Sequence, residues 1–322
     1  MLLPRIMLSA SLAGIMVLGA GMAAGQEYPN RPIRIVTSAP GGGNDFTARL
    51  IAQGLTGGSL GQPVVVDNRG GGVLPGQTVL QAPADGYTLL VAGSSFMIGH
   101  LLEESPFDPE KDFSPVCLAA TTPNIVLVHP SLPVKSVKEL IALAKARPGE
   151  LNYSSSAAGS TQHLSAELFK SMAGVNMVRV AYKGAGPGLI GLVGGETQVM
   201  ISTAPSSAPH IKSGKVRALA VTSAQPSALA PGLPTVAATG LPGYEVISVD
   251  TVFARAKTPG AIINRLNQEI ARVITREDVK QKFFASGSEV AAGSAQELAA
   301  LMRSEIAKWG KVIKEAGIHT RQ

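Results

Sequence analysis

Five short stretches hold the residues whose types and spacing could do chemistry. None is rich in groups that break covalent bonds. The first reads PGGGND: Gly41, Gly42 and Gly43, then Asn44 and Asp45. It lies between an apolar run, PIRIVTS, and a segment of helical spacing, DFTARLIAQGL. Consecutive glycines let the backbone approach a ligand closely. The start of the following helix offers free N–H groups and the positive end of a dipole, so it favours an anion. The alternative is a tight turn capped by Asn44 or Asp45. No Gly-Lys-Ser/Thr follows and the glycines are contiguous, so neither nucleotide-loop pattern is present. The second stretch, SSSAAGSTQHLSAE from Ser154 to Glu167, repeats this physics with neutral donors. Ser156, Gly159, Ser160 and Thr161 precede a helix that carries His163. That histidine could act as a general base towards Ser160, as in a hydrolase. However, the G-x-S-x-G elbow is absent, and a histidine one turn into a helix is more often a packed or capping residue.

Three further loops follow strand-like runs: Gly93–Ser95 with Ser94, Tyr182–Gly188 with Ala185 and Gly186, and Ser202–Ser207 with Ser202 and Thr203. Each alone reads as a turn. Together they suggest a cleft lined by backbone N–H and hydroxyl donors. Asp250, in EVISVDTVF, is the one carboxylate placed to face such a cleft; otherwise it is a surface or hinge residue. There is no close acid pair, no Cys–His pair and no histidine cluster. The reading is of a binding protein, not an enzyme, with no cofactor and no metal.

The elements that position these loops alternate along the chain. PIRIVTS, QPVVVDN, GYTLLVAG, LNYSSS, NMVRVAY, TQVMIST and VRALAVTSA read as strands, with helical or turn segments between them. Two β runs are expected in DFSPVCLAATTPNIVLVHPS, split at Thr121–Thr122–Pro123. Ser136 with Glu139, and Ser294 with Glu297, predict capping boxes. A Pro-rich connector, QPSALAPGLPTVAATGLPGY, leads to EVISVDTVF, and three helices close the chain. Repeated strand–helix order predicts an α/β fold of mixed sheets flanked by helices. The arrangement expected is two-lobed: residues 26–124 plus 248–322 as a discontinuous first lobe, and 125–247 as the second. Two crossing strands then form the hinge.

Bulk properties agree. Of 322 residues, the first 25 have a cation, Arg5, before a long apolar run that ends in small residues. That is the form of a cleaved secretory signal peptide, with small residues such as Ala23 and Gly25 at the cleavage site. No second stretch is apolar enough to span a bilayer. The single cysteine, Cys117, excludes an internal disulfide framework and reads as a small buried hydrophobe. The formal net charge is +6. The cations are scattered and no aromatic interleaves with a basic run, so nucleic acid is not the expected partner.

These fragments, in this order, resemble the solute-binding proteins of tripartite tricarboxylate transporters, the Bug-type receptors. The resemblance runs from YPNRPIRIVTSAPGGGNDFTARLIAQGL through ADGYTLL, DPEKDFSPV, SVKELIALAKARPGELNY, STQHLSAELFKSMAG, YKGAGPGLIGLVGG and APHIKSGKVRALAVTS to EIAKWGKVIKEAGI. It implies a monomeric periplasmic protein of the type II, Venus-flytrap class that closes on a small organic carboxylate. Its partners would be integral membrane transporter subunits; the alternative is a sensor kinase that reads the same ligand. In such proteins, main-chain N–H groups, hydroxyls and ordered waters hold the carboxylate, with no obligatory arginine. Gly41–Asp45 match the family's first loop, and Gly159–Ser160–Thr161 with His163 match the second. Gly184–Pro187 and Ser202–Thr203 match the neighbouring loops. The family often has an aromatic where Ser38 stands, an aspartate where Ser202 stands, and an aromatic pair where Val249–Asp250 stand. An aspartate at 202 would meet a ligand ammonium; its absence points to a plain mono- or dicarboxylate. Asp250 leaves the ligand open.

Overall fold

Near-continuous β-branched runs make strands that are covered on both faces, where no polar alternation is needed. The computed structural model describes residues 28–58, 60–156 and 158–318. The expected signal peptide over residues 1–25 and its cleavage site lie outside the described residues. The chain opens with β1 (Ile33–Thr37), α1 (Gly43–Thr56), β2 (Val64–Asn68), α2 (Leu74–Leu80) and β3 (Thr88–Gly93), with β1 parallel to both β2 and β3. The end of β3 passes straight into a short helix, α3 (Ser94–Ile98), and a 3₁₀ turn over Gly99–Leu101. Asp108 caps the four-residue α4 (Pro109–Asp112), which leads into β4 (Phe113–Val128).

The second half contains α5 (Val137–Ala146), β5 (Asn152–Ser155), α6 (Thr161–Ala173), β6 (Val178–Ala181), α7 (Ala185–Val193), β7 (Val199–Thr203), α8 (Ala204–Lys212), β8 (Arg217–Val221) and α9 (Val236–Thr239). The chain returns through β9 (Ile247–Arg255), α10 (Gly260–Ile274), α11 (Glu277–Ala285), β10 (Glu289–Gly293) and α12 (Ala295–Glu315). The result is the α/β, two-lobed architecture of the type II periplasmic binding proteins. Its strands run in the order β2-β1-β3-β9-β4-β7-β5-β6, with β8 and β10 also paired to β4.

β4 corrects one expectation. The chain does not break at Thr121–Thr122–Pro123 but continues as one strand of 16 residues. Its first part, to Pro123, pairs antiparallel with β9, whereas from Asn124 it pairs with β7 and β8. Proline lacks the N–H that a strand interior must donate. It is tolerated here because one ladder ends and the other begins at this point. Asn124 fixes the transfer by donating its N–H to Thr222 Oγ1 (3.0 Å) and accepting from the same hydroxyl (3.1 Å).

Smaller departures have local causes. The loop expected after β7 is the first turn of α8. β10 was not anticipated, since its five residues, EVAAG, carry a bulge and a positive φ at Ala292 and no clean alternation. The Pro-rich connector contains α9, capped by Thr235. Ser294 and Glu297 do form a reciprocal capping box on α12. At α5, Ser136 accepts from the Glu139 N–H, but the Glu139 carboxylate takes the N–H of Lys135 instead of that of Ser136.

One apolar cluster joins α1 and α10 to the first sheet through Ile35, Ile51, Leu89, Leu266 and Ile270, and it encloses Cys117. A second runs from Leu90 and Phe253 through Val126, Tyr153 and Phe169 to Leu298, Trp309 and Val312. α12 therefore lies against both halves, packing on α3 and on α6. Among the described residues, no helix is long and apolar enough to cross a membrane.

α1 and α10 approach so closely at Gly54 that a Cβ there would lie 2.1 Å from Val273 Cγ1. Gly54→Ala gains about 1 kcal/mol of helix propensity but overpacks this contact by about 1–3 kcal/mol. The net loss is up to about 2 kcal/mol, so thermal unfolding should show Tm lower by up to about 4–8 °C; a raised Tm would contradict the packing described.

Candidate functional site

β1, β3, β5, β6 and β7 each end where a helix begins, so five helix N-termini gather at the strands' carboxyl ends. Open α/β sheets bind ligands on this side.

The first wall is built around Asp250. Across the β3–β9 ladder Asp250 stands opposite Gly93. With the Asn44 amide oriented to suit its neighbours, Nδ2 donates to Asp250 Oδ1 (2.7 Å) and Oδ1 accepts from the Gly93 N–H (3.2 Å). The other Asp250 oxygen accepts from Thr47 Oγ1 (2.7 Å). Burial raises the Asp250 pKa, and the Thr47 bond opposes that shift. Asp250 thus holds α1 against the returning strand instead of offering a free carboxylate. Ser94 is likewise tied in, since its hydroxyl accepts from the Val249 N–H (3.2 Å).

Asp45 turns back beneath its own helix. It accepts from the Gly41 N–H (2.9 Å), Arg49 Nε (3.0 Å) and Asn68 Nδ2 (2.8 Å). Burial alone would raise its pKa, but these bonds, with Arg49 foremost, hold the carboxyl below its ordinary value. Gly42 occupies the N-cap of α1 and no side chain caps it. The N–H groups of Gly42, Gly43 and Asn44 have no partner among the described residues, and Gly41, Gly42 and Gly43 are exposed. Ser38 uses its carbonyl to accept from Asn68 Nδ2 (2.7 Å).

The second loop has the same division of roles. Arg179 donates to Ser155 Oγ (2.8 Å) and to the Ser156 carbonyl (2.7 Å), and Ser156 Oγ donates to Gln162 (2.7 Å). Ser160 caps α6 by accepting from the His163 N–H (3.3 Å). His163 Nδ1 accepts from the Gly159 N–H (3.1 Å), which places the ring proton on Nε2. Burial, reinforced by Arg179, pushes the His163 pKa down to about 4, so the ring is neutral. No bond joins the Ser160 hydroxyl to the imidazole, so the only local hydrolase pair is not assembled. The N–H groups of Thr161 and Gln162, in the first turn of α6, have no partner among the described residues.

The remaining predicted residues separate. Gly184, at φ 118°, begins α7 without a side-chain cap, which leaves the first-turn amides of Ala185 and Gly186 unpaired. Thr203 Oγ1 donates to Ser206 (2.9 Å). Ser202 is fully buried with an unpartnered hydroxyl and so lies beneath the cleft surface.

A cavity of about 290 Å³ opens between the halves. Ser38, Asn44 and Gly93 line it from one side and Ala158 from the other. The halves touch beside it, where a Cβ on Gly159 would fall 2.6 Å from Leu102 Cδ1. They meet again where a Cβ on Gly287 would fall 2.4 Å from Pro205 Cβ. Of the site residues expected from the sequence, only Ser38 and Asn44 line this cavity; Gly41, Gly42, Gly43, Asp45, Ser94 and Asp250 on one side, and Ser156, Gly159, Ser160, Thr161, His163, Ala185, Gly186, Ser202 and Thr203 on the other, do not. Its inner wall comes instead from Pro75, Phe96, His100 and Phe107. These stand in sequence without a motif, and only the fold brings them to the cleft.

A model of the family described as tripartite tricarboxylate transporter family receptor matches residues 47–318. Protein BugT of Bordetella pertussis is 36% identical over 316 residues, which cover 95% of this chain and 97% of that protein. Among solved structures, Rpa4515 of R. palustris with adipate is 41% identical, with a TM-score of 0.73 over 91% of this chain and 99% of that one. MatC of Rhodopseudomonas palustris with bound malate is 29% identical, with a TM-score of 0.69 over 89% and 100%.

The neutral His163 has a pH consequence. Its pKa is about 4 folded against 6.5 for the free side chain. The unfolded chain therefore binds the proton more readily, and this group's contribution to stability is complete above pH 6.5 and lost as pH falls towards 4. Urea unfolding should show His163→Gln less stable than the parent at pH 7. That gap should narrow by about 2–3 kcal/mol at pH 4.5; a gap that does not change with pH would contradict a depressed pKa.

Proposed function

The chain belongs to the tripartite tricarboxylate transporter receptor family, and from that premise we propose that it captures a small organic carboxylate between its lobes and delivers it to integral membrane transporter subunits. The observation that carries this reading is the pair of helix N-termini, α1 and α6, each presenting unpaired amides after a strand. Such amides and the dipole behind them attract an anion. The acids that would repel one, Asp45 and Asp250, are bonded within their own wall. The ligand's charge would be met by Gly42, Gly43 and Asn44 on one side and by Thr161 and Gln162 on the other. Ser38 and Ser160 would add hydroxyl contacts, whereas the Ser156 hydroxyl is given to Gln162. The relatives solved with adipate and malate carry carboxylates, in keeping with this chemistry.

Members of this family are periplasmic binding proteins, and we place this chain there as a monomer after loss of residues 1–25. The lobes are taken as 26–124 plus 248–322 and 125–247, joined by β4 and the approach to β9. Closure would bring Gly159 onto Leu102 and Gly287 onto Pro205, as found here.

The test removes one donor from each loop without removing a helix. Gly43 and Thr161 are the first residues of their helices, a position that proline tolerates. The residue before each is already extended, as proline requires. Isothermal titration of the mature protein should find adipate or malate binding below millimolar. Gly43→Pro and Thr161→Pro should each weaken binding by about tenfold or more, because a hydrogen bond to a charged group is worth about 1.5–3 kcal/mol. Unchanged affinity in both variants, with Tm retained, would sink the amide clamp.

A further inference from the structure

We propose that Arg179 is a positioning residue for the ligand: held behind the second loop, its guanidinium supplies the fixed positive charge that draws a carboxylate to the start of α6 without touching it. The inference rests on the carboxylate reading above and adds which side takes the acid group, and by what charge.

Placement comes first. β6 is the outer strand of the sheet, and its Arg179 stands beside Tyr153 of β5. Neighbours in register point to one face, here the face that α6 covers, where Tyr153 meets Glu167. The guanidinium forks onto consecutive residues. Nε donates to Ser155 Oγ (2.8 Å) and Nη2 donates to the Ser156 carbonyl (2.7 Å). At the far end of the same loop Gly159 donates its N–H to His163 Nδ1, and between the two anchors Ala158 reaches the cavity between the halves. Arg179 therefore lies directly behind the stretch that the second half turns towards a ligand.

Charge comes second. A guanidinium is matched to carboxylates in shape and charge. Arg179 nevertheless meets two neutral oxygens and, among the described residues, no acid. Glu167, the acid on that face, is taken by Lys170 (2.8 Å) and by the Tyr153 hydroxyl. Those two charges cancel, and Arg179 leaves the α6 side with an uncompensated positive charge. The first wall has the opposite balance. Arg49 is paired with Asp45 (3.0 Å). Asp250 adds a carboxylate that meets Asn44 and Thr47 and, among the described residues, no cation. An anion between the walls thus gains more from the second. The field of Arg179 extends to the first turn of α6. After burial, its charge is the next cause that holds the His163 pKa down at about 4, and the His163 N–H belongs to that turn.

The experiment is isothermal titration of the mature protein, Arg179→Gln and Arg179→Lys with adipate and malate, with melting curves to check folding. Both replacements keep a donor for the loop, but only lysine keeps the charge. In about 20 mM salt, Arg179→Gln should weaken binding about tenfold and Arg179→Lys less than about threefold. In about 500 mM salt the gap between the parent and Arg179→Gln should fall to about threefold or less, because screening removes a charge effect and spares a lost hydrogen bond. A second readout needs no ligand. By NMR, His163 should titrate at higher pH in Arg179→Gln than in the parent, and at the parent's value in Arg179→Lys. An unmoved His163, equal losses in the two variants, no loss in Arg179→Gln, or a loss untouched by salt would make Arg179 a brace alone. Any of these overturns the inference and leaves the receptor reading standing. If neither acid binds to the folded parent, the receptor reading itself fails and takes this inference with it.

Discussion

The carboxylate of Asp250 is the joint on which the first wall depends. It lies on the strand that returns from the second half and reaches Asn44 and Thr47 in the first turns of α1. Asn44 in turn receives the Gly93 N–H, so the β1–α1 and β3–α3 junctions and the interior of β9 share one network. Thr47 is fully buried, and a buried donor without its acceptor loses about 1–3 kcal/mol. The network therefore fixes where the glycine loop lies and which way its amides point. The same strand belongs to the hinge, so the geometry of the loop is referenced to the axis about which the lobes meet.

Both loops follow one rule: side chains brace the loop from beneath, and the first-turn amides of the helix that follows are left without a partner among the described residues. In the first, Asp45, Arg49 and Asn68 form a closed set beneath α1. In the second, Arg179, His163 and Gln162 hold the loop through its carbonyl, its Gly159 amide and its Ser156 hydroxyl. Rigid loops with unpaired N–H groups lose little freedom when an anion arrives, which is the advantage of preorganisation.

Much of this was legible in the sequence. Strand–helix alternation gave the architecture, and the glycine- and serine-rich strand exits gave the loops, because both depend on local periodicity and backbone freedom. What local pattern could not give was the use of individual side chains. His163 could be read from sequence either as a base or, more often for its place in a helix, as a packed residue, and Asp250 either as facing the cleft or as a hinge residue; the fold makes each an internal brace. Pro123 reads as a strand break until the second ladder is seen to start beside it. Ser202 follows the site motifs but lies under the surface, since β7 places alternate residues on opposite faces. The cavity wall of Phe96, His100 and Phe107 has no signature at all, because its members come together only through packing.

A charge receptor made of peptide N–H groups has no donor side chain to lose. Substitution almost anywhere in its loops leaves the donors in the chain, provided that the trace is kept; proline is the exception. Inheritance can thus be divided. On the reading proposed above, recognition of the acid group would travel with the backbone; the relatives solved with adipate and malate are 41% and 29% identical to this chain. The cavity walls, made of ordinary side chains, remain free to drift. A lineage built this way can acquire new nutrients by repainting one wall, without ever rebuilding the grip.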